Sequence, residues 1–188
     1  MARHGETDWN RDFRFQGRAD PPLNELGRSQ SSELAAALAH EQLAAVYSSP
    51  LRRALETAEV VAAELGLEPV AVDALREVDV GSWQGLTRAE VEERFPEQYA
   101  RWIGGGQGWE DGETYEQMGR RAVAALLELA ASHDGERILA VTHGGPIRAA
   151  FAFADGTTHE EARRRGPPIT NVFLTGFAVE NGAFRRLD

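Results

Sequence analysis

The sequence contains no cysteine and no lysine. Without cysteine, disulfide bonds and thiolate chemistry are excluded. Without lysine, a lysine Schiff base and a Walker-type phosphate loop are excluded, so the glycine-rich segment 104–108 is interpreted as a flexible surface loop. All 20 basic residues are therefore arginine, whose guanidinium group keeps its charge at physiological pH.

Long apolar runs and a targeting signal are also missing. No run approaches the roughly 20 apolar residues that span a bilayer, and no signal-peptide pattern opens the chain. Together with the lack of cysteine, this favours a cytoplasmic protein without a membrane partner. The net charge of −10 over 188 residues argues against a nucleic-acid partner. An anion site in such an acidic protein requires a local cluster of arginines.

Helix and strand patterns alternate along the chain. Asn24 is expected to cap a helix over 25–40 that buries Leu26, Leu34 and Leu38, and Thr114 with Gln117 forms a capping box for another. Further helices are predicted over 51–65, 88–95 and 98–103 and after Pro146, and strands over 44–48, 69–72, 138–142, 171–179 and 183–187, with a hairpin at Asn181-Gly182. This alternation predicts a single α/β domain over 1–188.

Two histidine–glycine pairs stand far apart in the sequence. His4 lies within Arg3-His4-Gly5, and His143 lies within Thr142-His143-Gly144 after a predicted buried strand. A glycine beside a functional histidine lets a ligand approach both the side chain and the backbone. The helix predicted after His143 would present free N–H groups that favour a phosphate. The pattern predicts a pocket for an anion that one of the histidines attacks.

Two further motifs lie between these histidines. Arg52 and Arg53 stand at the start of the helix predicted over 51–65, and either of them could face an anion. Glu77, within Leu75-Arg76-Glu77, offers a carboxyl group for proton transfer. It competes with other nearby acids that solvent could equally surround, namely Glu68, Asp73 and Asp79.

In this order the four motifs resemble those of the histidine phosphatase superfamily, the phosphoglycerate mutase-like proteins, over nearly the whole chain. The resemblance implies a three-layer α/β/α sandwich with a mostly parallel central sheet. It implies His4 as the nucleophile that becomes a phosphohistidine, and Glu77 as the general acid and then the base. The phosphoryl group would be bound by Arg3, Arg53 and His143. The family's spacing selects Arg53 over Arg52.

Several secondary assignments follow from the same resemblance. Contacts to phosphate or substrate are implied for four residues, Asn10, Gln16, Gly17 and Gly144, and structural support for Glu113 and Arg121. No cofactor or metal is implied; a zinc site built from His4, His143 and an acid is an alternative, although no ligand-spacing motif accompanies it. The remaining histidines, His40, His133 and His159, are interpreted as surface residues.

The start of the chain departs from the family pattern. Relatives have a buried strand of several residues before the first motif, whereas only Met1 and Ala2 precede Arg3 here. We therefore expect a shortened first strand, and a nucleophile so close to a terminus is expected to fray.

The resemblance leaves the reaction open between hydrolysis and phosphoryl transfer. True mutases carry a longer, basic insertion after the catalytic glutamate, whereas residues 88–94 here are a short stretch of mixed charge. We predict a phosphomonoesterase for a small phosphorylated metabolite, with a phosphoglycerate mutase or a non-catalytic phosphate-binding protein as alternatives. A lid that selects the leaving group is expected around Glu97, Tyr99, Trp102 and Trp109. Assembly as a homodimer is left open.

Overall fold

The computed structural model describes residues 1–180 and 183–187. Its central sheet has four parallel strands in the order β1-β4-β2-β3. These strands are β1 (Ala2–Arg3), β2 (Leu43–Ser48), β3 (Pro69–Ala71) and β4 (Arg137–Thr142). A separate antiparallel pair is formed by β5 (Phe177–Glu180) and β6 (Ala183–Arg186). The predicted strands at 44–48, 69–72 and 138–142 are thereby confirmed.

Eight α-helices are present in the described part of the chain. They are α1 (Asp8–Arg11), α2 (Glu25–Leu38), α3 (Arg52–Leu65), α4 (Arg88–Arg94), α5 (Pro96–Ile103), α6 (Tyr115–Ala131), α7 (Gly144–Ala154) and α8 (His159–Arg165). The caps expected at Asn24 and Thr114 are both formed by their side-chain oxygens. The prediction missed α1 and α8, which have only four and seven residues.

The helices cover both faces of the sheet. Helices α2 and α3 pack on one face, where Val46, Leu139 and Val141 are buried. Helices α6 and α7 pack together on the other face, where Ala140 is buried. Neighbouring strand residues point to opposite faces, so β4 supplies both cores. The expected α/β/α sandwich with a mostly parallel sheet is confirmed. Among the described residues, no helix has both the length and the apolar composition needed to cross a membrane.

Two expectations about burial and strands are wrong. Leu26 is 51% exposed, because the buried stripe of α2 runs through Gly27, Ser31 and Leu34 and leaves position 26 outside it. The strand predicted over 171–179 is regular only from Phe177. The backbone just before Phe177 instead runs alongside β1 and hydrogen-bonds to it. The predicted hairpin at Asn181-Gly182 lies outside the described residues.

The short first strand is held on both sides. Its neighbour β4 pairs with it in parallel, and the backbone N–H of His4 donates to the carbonyl of Thr142 at 3.0 Å. On the other side, Arg3 N donates to Phe173 O at 3.0 Å and Met1 N donates to Thr175 O at 2.8 Å. These backbone hydrogen bonds oppose the fraying that the sequence led us to expect.

Candidate active site

The four sequence motifs converge on one cavity at the carboxyl edge of the sheet. The cavity has a volume of about 300 Å³. Its lining includes most of the predicted site residues, namely Arg3, His4, Asn10, Gln16, Gly17, Arg53, Glu77 and Gly144. His143 is not part of the lining but is completely buried, with its ring centre 5.1 Å from that of His4. The structure therefore brings the predicted site residues together at one place.

His4 is buried and held in a defined tautomer. Its Nδ1 lies 2.7 Å from the carbonyl oxygen of Gly5, and because a carbonyl only accepts, Nδ1 carries the proton and Nε2 keeps its lone pair. Burial, followed by the charges of Arg3 and Arg53, lowers the pKa of His4 well below its usual 6.5. The ring is therefore neutral at pH 7, as a nucleophile must be.

The glycine after His4 serves backbone packing. A Cβ on Gly5 would lie 2.4 Å from the carbonyl oxygen of Gly27, and a Cβ on Gly27 would lie 2.1 Å from that of Glu6. The loop after β1 thus rests directly on the backbone of α2. This revises the expected reason for Gly5, which was ligand approach. At Gly144, in contrast, a Cβ would meet no atom within 4 Å.

His143 is anchored through one ring nitrogen only. Its Nε2 lies 2.8 Å from the hydroxyl oxygen of Ser49, whereas its buried Nδ1 has no hydrogen-bond partner in the described part of the chain. Burial and then the charge of Arg53 lower the pKa of His143 well below 6.5. Ser49 Oγ also accepts from the N–H of Leu51 at 3.3 Å.

Two arginines flank the histidines, one buried and one half-buried. Arg53 is 1% exposed and donates to the carbonyls of Gly17 at 2.8 Å and Ala19 at 2.7 Å. Arg3 donates to the carbonyl of Ile169 at 2.7 Å. The Nε atoms of both arginines are buried without a partner among the described residues. Burial lowers the pKa of Arg53 to about 10, so its charge persists at neutral pH.

The structure separates Arg53 from the rival that the sequence left open. Arg52 lies on the outer side of α3, where its guanidinium contacts Glu56 at 3.1 Å, and it does not line the cavity. Only one of two adjacent arginines at a helix start can face inward, since successive helix positions are about 100° apart. Arg53, the residue that the motif spacing favours, is thus the one that the fold turns inward.

Glu77 is the one carboxylate among the described residues that line the cavity. Its two oxygens accept from the N–H groups of Val78 at 2.9 Å and Gly145 at 3.2 Å. A Cβ on Gly145 would approach Glu77 Oε1 to 2.2 Å, so this glycine leaves room for the carboxylate. The three rival acids do not line the cavity.

Arg121 fixes the segment that carries Glu77. It binds both oxygens of Glu113 at 2.6 Å and donates to the backbone carbonyls of Ala74 and Arg76 at 2.7 Å and of Glu77 at 3.0 Å. These contacts tie α6 to the chain directly before the carboxylate. They give Glu113 and Arg121 the supporting position that the sequence led us to expect.

The loop after the first motif supplies three further lining residues. Asn10 Oδ1 accepts from Asn171 Nδ2 at 3.2 Å, and the same Nδ2 lies 3.1 Å from the carbonyl oxygen of His4. Gln16 Oε1 is buried without a partner in the described part of the chain. Gly17 has φ of 51°, a left-handed conformation that suits glycine.

The sequence reading misplaced two of the three remaining histidines. His159 lines the cavity and stacks on Tyr115, with ring centres 4.1 Å apart. His133 is half-buried, with Nε2 at 2.8 Å from the hydroxyl of Tyr47. Only His40 is exposed as expected. The capping box Thr158–Glu161 is the signal that could have revealed the helix that carries His159 into the cavity.

Aromatic and arginine side chains complete the cavity. Of the expected lid residues, Trp102 and Trp109 line it, whereas Glu97 and Tyr99 do not. Further arginines from the loop after α1, from α7 and from α8 also line it, namely Arg14, Arg148 and Arg163. Within residues 1–180 and 183–187, no group of three or more His, Asp or Glu side chains is placed to hold a metal ion.

The buried histidines predict a loss of stability in mild acid. The pKa values of His4 and His143 lie well below 6.5, and burial followed by Arg148 lowers that of His159 to about 4. Below pH 6.5 the unfolded chain therefore binds more protons than the folded protein. Above pH 6.5 these histidines do not lower the unfolding free energy. Below pH 6.5 the unfolding free energy is expected to fall by up to about 1.4 kcal/mol per pH unit for each histidine.

Urea unfolding between pH 7.5 and pH 5 measures this dependence. In His159→Phe the stacked ring is kept but cannot take up a proton, so the slope is expected to decrease by about one proton. An unfolding free energy that stays constant from pH 7.5 to pH 5 would contradict the neutral state of these rings.

Fold and cavity together place the protein in the class of α/β proteins whose ligand crevice lies at the carboxyl edge of a parallel sheet. The sequence matches the family model of the histidine phosphatase superfamily (branch 1) over residues 1–187. Phosphoglycerate mutase-like protein 4 of Arabidopsis thaliana is 40% identical over an alignment of 192 residues. The alignment covers 97% of this chain and 79% of that protein.

Two other proteins are similar to this chain, one in sequence and one in structure. The metal-independent phosphoserine phosphatase of Arabidopsis thaliana is 40% identical, with 80% of this chain and 66% of that protein covered. The solved structure of Bacillus stearothermophilus YhfR has a TM-score of 0.91 at 32% identity, with 99% of this chain and 93% of that chain covered. The chain belongs to the histidine phosphatase superfamily, branch 1. The predicted family and enzyme class are confirmed.

Proposed function

We propose that the protein hydrolyses the phosphomonoester of a small metabolite through a phosphohistidine on His4. The observation that carries this proposal is the neutral ring of His4, whose Nε2 keeps a free lone pair. The same site holds three N–H donors that have no acceptor in the described part of the chain. These donors are Arg3 Nε, Arg53 Nε and His143 Nδ1, all buried and without partners among the described residues. A phosphoryl group has the oxygens to accept from all three.

In the first step, Nε2 of His4 attacks phosphorus and the phosphorus–oxygen bond to the leaving group breaks. Glu77, protonated from solvent beforehand, gives its proton to the leaving oxygen. In the second step, the Glu77 carboxylate takes a proton from water, whose oxygen attacks phosphorus and releases His4 and inorganic phosphate. The same carboxyl group thus acts first as acid and then as base.

Charge neutralisation supplies most of the catalysis in this scheme. Phosphoryl transfer passes through a loose transition state in which charge spreads over the nonbridging oxygens. Arg53 is buried and Arg3 is half-buried, so solvent screens their charges less than it would at the surface. The Ser49 hydroxyl accepts from Leu51 N and can donate to His143 Nε2, which leaves the proton on Nδ1 of His143 for a phosphoryl oxygen. Because two arginines bind the phosphoryl group, the mechanism requires no metal.

Hydrolysis is favoured over mutase chemistry by the short connection after Glu77. The chain passes through a 3-10 turn at Gly81–Trp83 and enters α4 at Arg88. No basic insertion covers the cavity there to keep water away from a phosphorylated histidine. A non-catalytic phosphate-binding role would need neither the free lone pair on His4 nor the carboxylate of Glu77.

The purified protein is expected to hydrolyse p-nitrophenyl phosphate in excess EDTA at a rate equal to that without chelator. A panel of phosphorylated metabolites, assayed by phosphate release, then ranks the substrates by kcat/KM. Activity that EDTA abolishes and zinc restores would contradict the metal-independent mechanism. Conversion of 3- to 2-phosphoglycerate that depends on a bisphosphate primer, without phosphate release, would establish the mutase instead.

A further inference from the structure

The segment between α8 and β5 runs back to the proposed nucleophile. The carbonyl oxygen of His4 accepts from Asn171 Nδ2 at 3.1 Å and from the backbone N–H of Val172 at 3.3 Å. Val172 makes this contact with φ of 50°, a left-handed conformation that β-branched residues seldom adopt. Such a conformation costs free energy and persists where the surrounding structure enforces it, typically at functional sites. The strained turn therefore directs attention to what Asn171 does beside the nucleophile.

The side chain of Asn171 joins two groups of the site through one nitrogen. Its Nδ2 lies 3.1 Å from the carbonyl oxygen of His4 and 3.2 Å from Oδ1 of Asn10. A backbone carbonyl only accepts, so the atom of Asn171 that faces it is the nitrogen and not the oxygen. An amide nitrogen has two N–H donors, and each of them has an acceptor here. Asn171 itself does not line the cavity.

The carboxamide of Asn10 is held entirely by its oxygen. Oδ1 accepts from the backbone N–H of Thr7 at 3.2 Å, from the Thr7 hydroxyl at 3.1 Å and from Asn171 Nδ2. Because a backbone N–H only donates, the orientation of this amide is fixed as well. Its Nδ2 has no partner among residues 1–180 and 183–187, and Asn10 lines the cavity. The two N–H donors of Asn10 Nδ2 are therefore left for a ligand.

Asn171 adds a restraint that the helix of Asn10 cannot supply. Helix α1 has only four residues, so few intrahelical hydrogen bonds hold it in place. Thr7 belongs to the same short segment and moves with it. Asn171 instead ties the amide of Asn10 to the backbone of His4, so the donor and the nucleophile keep one relative position. Such placement of a binding group against a reacting group is a large part of catalysis.

We infer that Asn171 is a positioning residue for phosphoryl binding. Its Nδ2 holds the Asn10 carboxamide so that Nδ2 of Asn10 donates to a phosphoryl oxygen beside His4. This inference rests on the proposed phosphatase function and adds to it a residue that does not touch the substrate. Without Asn171, the Asn10 amide keeps only its contacts within α1 and its cap, and the donor loses its fixed distance from the nucleophile.

A double-mutant cycle between Asn10 and Asn171 tests this role. Asn10→Ala is expected to weaken the binding of inorganic phosphate, and to lower kcat/KM for p-nitrophenyl phosphate, by about 10- to 100-fold, the range for a hydrogen bond to a charged group. Asn171→Ala should reduce both quantities about tenfold where Asn10 is present, and by less than about twofold where Asn10 is already alanine. Calorimetry and initial rates give the two quantities. Thr170→Ala changes an exposed side chain of the same segment and should retain the wild-type values.

The outcomes separate positioning through Asn10 from a general structural role. Equal losses for Asn171→Ala in both backgrounds, or an unchanged phosphate affinity, would overturn the inference. If urea unfolding shows that Asn171→Ala does not fold, Asn171→Ser replaces it in the cycle, because the serine hydroxyl is too short to reach both acceptors.

The same experiment distinguishes a failure of this inference from a failure of the proposed function. If p-nitrophenyl phosphate is not hydrolysed, the phosphatase proposal fails, while the phosphate affinities of the four proteins in the cycle still decide the role of Asn171. Wild-type protein that binds no phosphate would overturn both.

Discussion

His4→Ala is expected to lower kcat for p-nitrophenyl phosphate by about 10⁴- to 10⁶-fold, the scale seen when a catalytic nucleophile is removed. Without the imidazole no phosphohistidine can form, and water would have to attack phosphorus directly. Arg3 and Arg53 remain in the cavity, so binding of inorganic phosphate should persist in this variant. The measurement is the initial rate of hydrolysis together with phosphate affinity.

His40→Ala is the matched control, because His40 is exposed and does not line the cavity. It should retain wild-type activity. The covalent intermediate is checked by quenching wild-type turnover of a radiolabelled ester and recovering an acid-labile adduct on His4. Residual hydrolysis above a trace in His4→Ala, or wild-type protein without such an adduct, would rule out the phosphohistidine route.

The motifs of the sequence meet at one cavity because they follow the ends of the parallel strands. His4 follows β1, Ser49 follows β2 and His143 follows β4. Strands that are parallel in one sheet bring their carboxyl ends to one edge. Segments distant in sequence therefore meet at one place, once the strands are recognised as neighbours.

The partners that orient these side chains could not be predicted from the sequence. His4 is oriented by the carbonyl of Gly5, Arg3 by that of Ile169 and Arg53 by that of Gly17. Every residue carries a carbonyl group, so no residue type marks the acceptor. Which carbonyl lies within reach depends on the backbone path, which only the folded chain defines.

The part of the cavity lining that α8 supplies was not predicted, for a different reason. His159 and Arg163 lie on α8, a helix of seven residues with basic residues throughout its last turn. Such a pattern is typical of a solvent-exposed helix end. Only contact with Tyr115 and Trp102 shows that one side of this helix faces the cavity.

The contacts that hold the start of the chain could not be predicted from the sequence either. A terminal strand of two residues has few hydrogen bonds of its own, so its sequence predicts fraying. The chain that follows α8 runs beside β1 and supplies the missing partners through Phe173 and Thr175. That contact joins the two ends of the sequence. No local pattern could have revealed it.

Glu77→Gln is expected to lower kcat/KM by about 10²- to 10⁴-fold, the usual contribution of a general acid. The size of the loss should depend on the leaving group. An alkoxide needs a proton when the phosphorus–oxygen bond breaks, whereas p-nitrophenolate leaves without one. The loss should therefore be greatest for an alkyl phosphate and smallest for p-nitrophenyl phosphate. The measurement is kcat/KM across a series of esters of rising leaving-group pKa.

Glutamine retains the shape of Glu77 and one oxygen that can accept from Val78 or Gly145, so the fold of the cavity should survive. Glu68→Gln, which changes an exposed acid, provides the control and should leave the whole series unchanged. Equal losses for alkyl and nitrophenyl esters would remove Glu77 as the proton donor. In that case its carboxylate would act only on the second step, where water attacks the phosphohistidine and the identity of the departed group no longer matters.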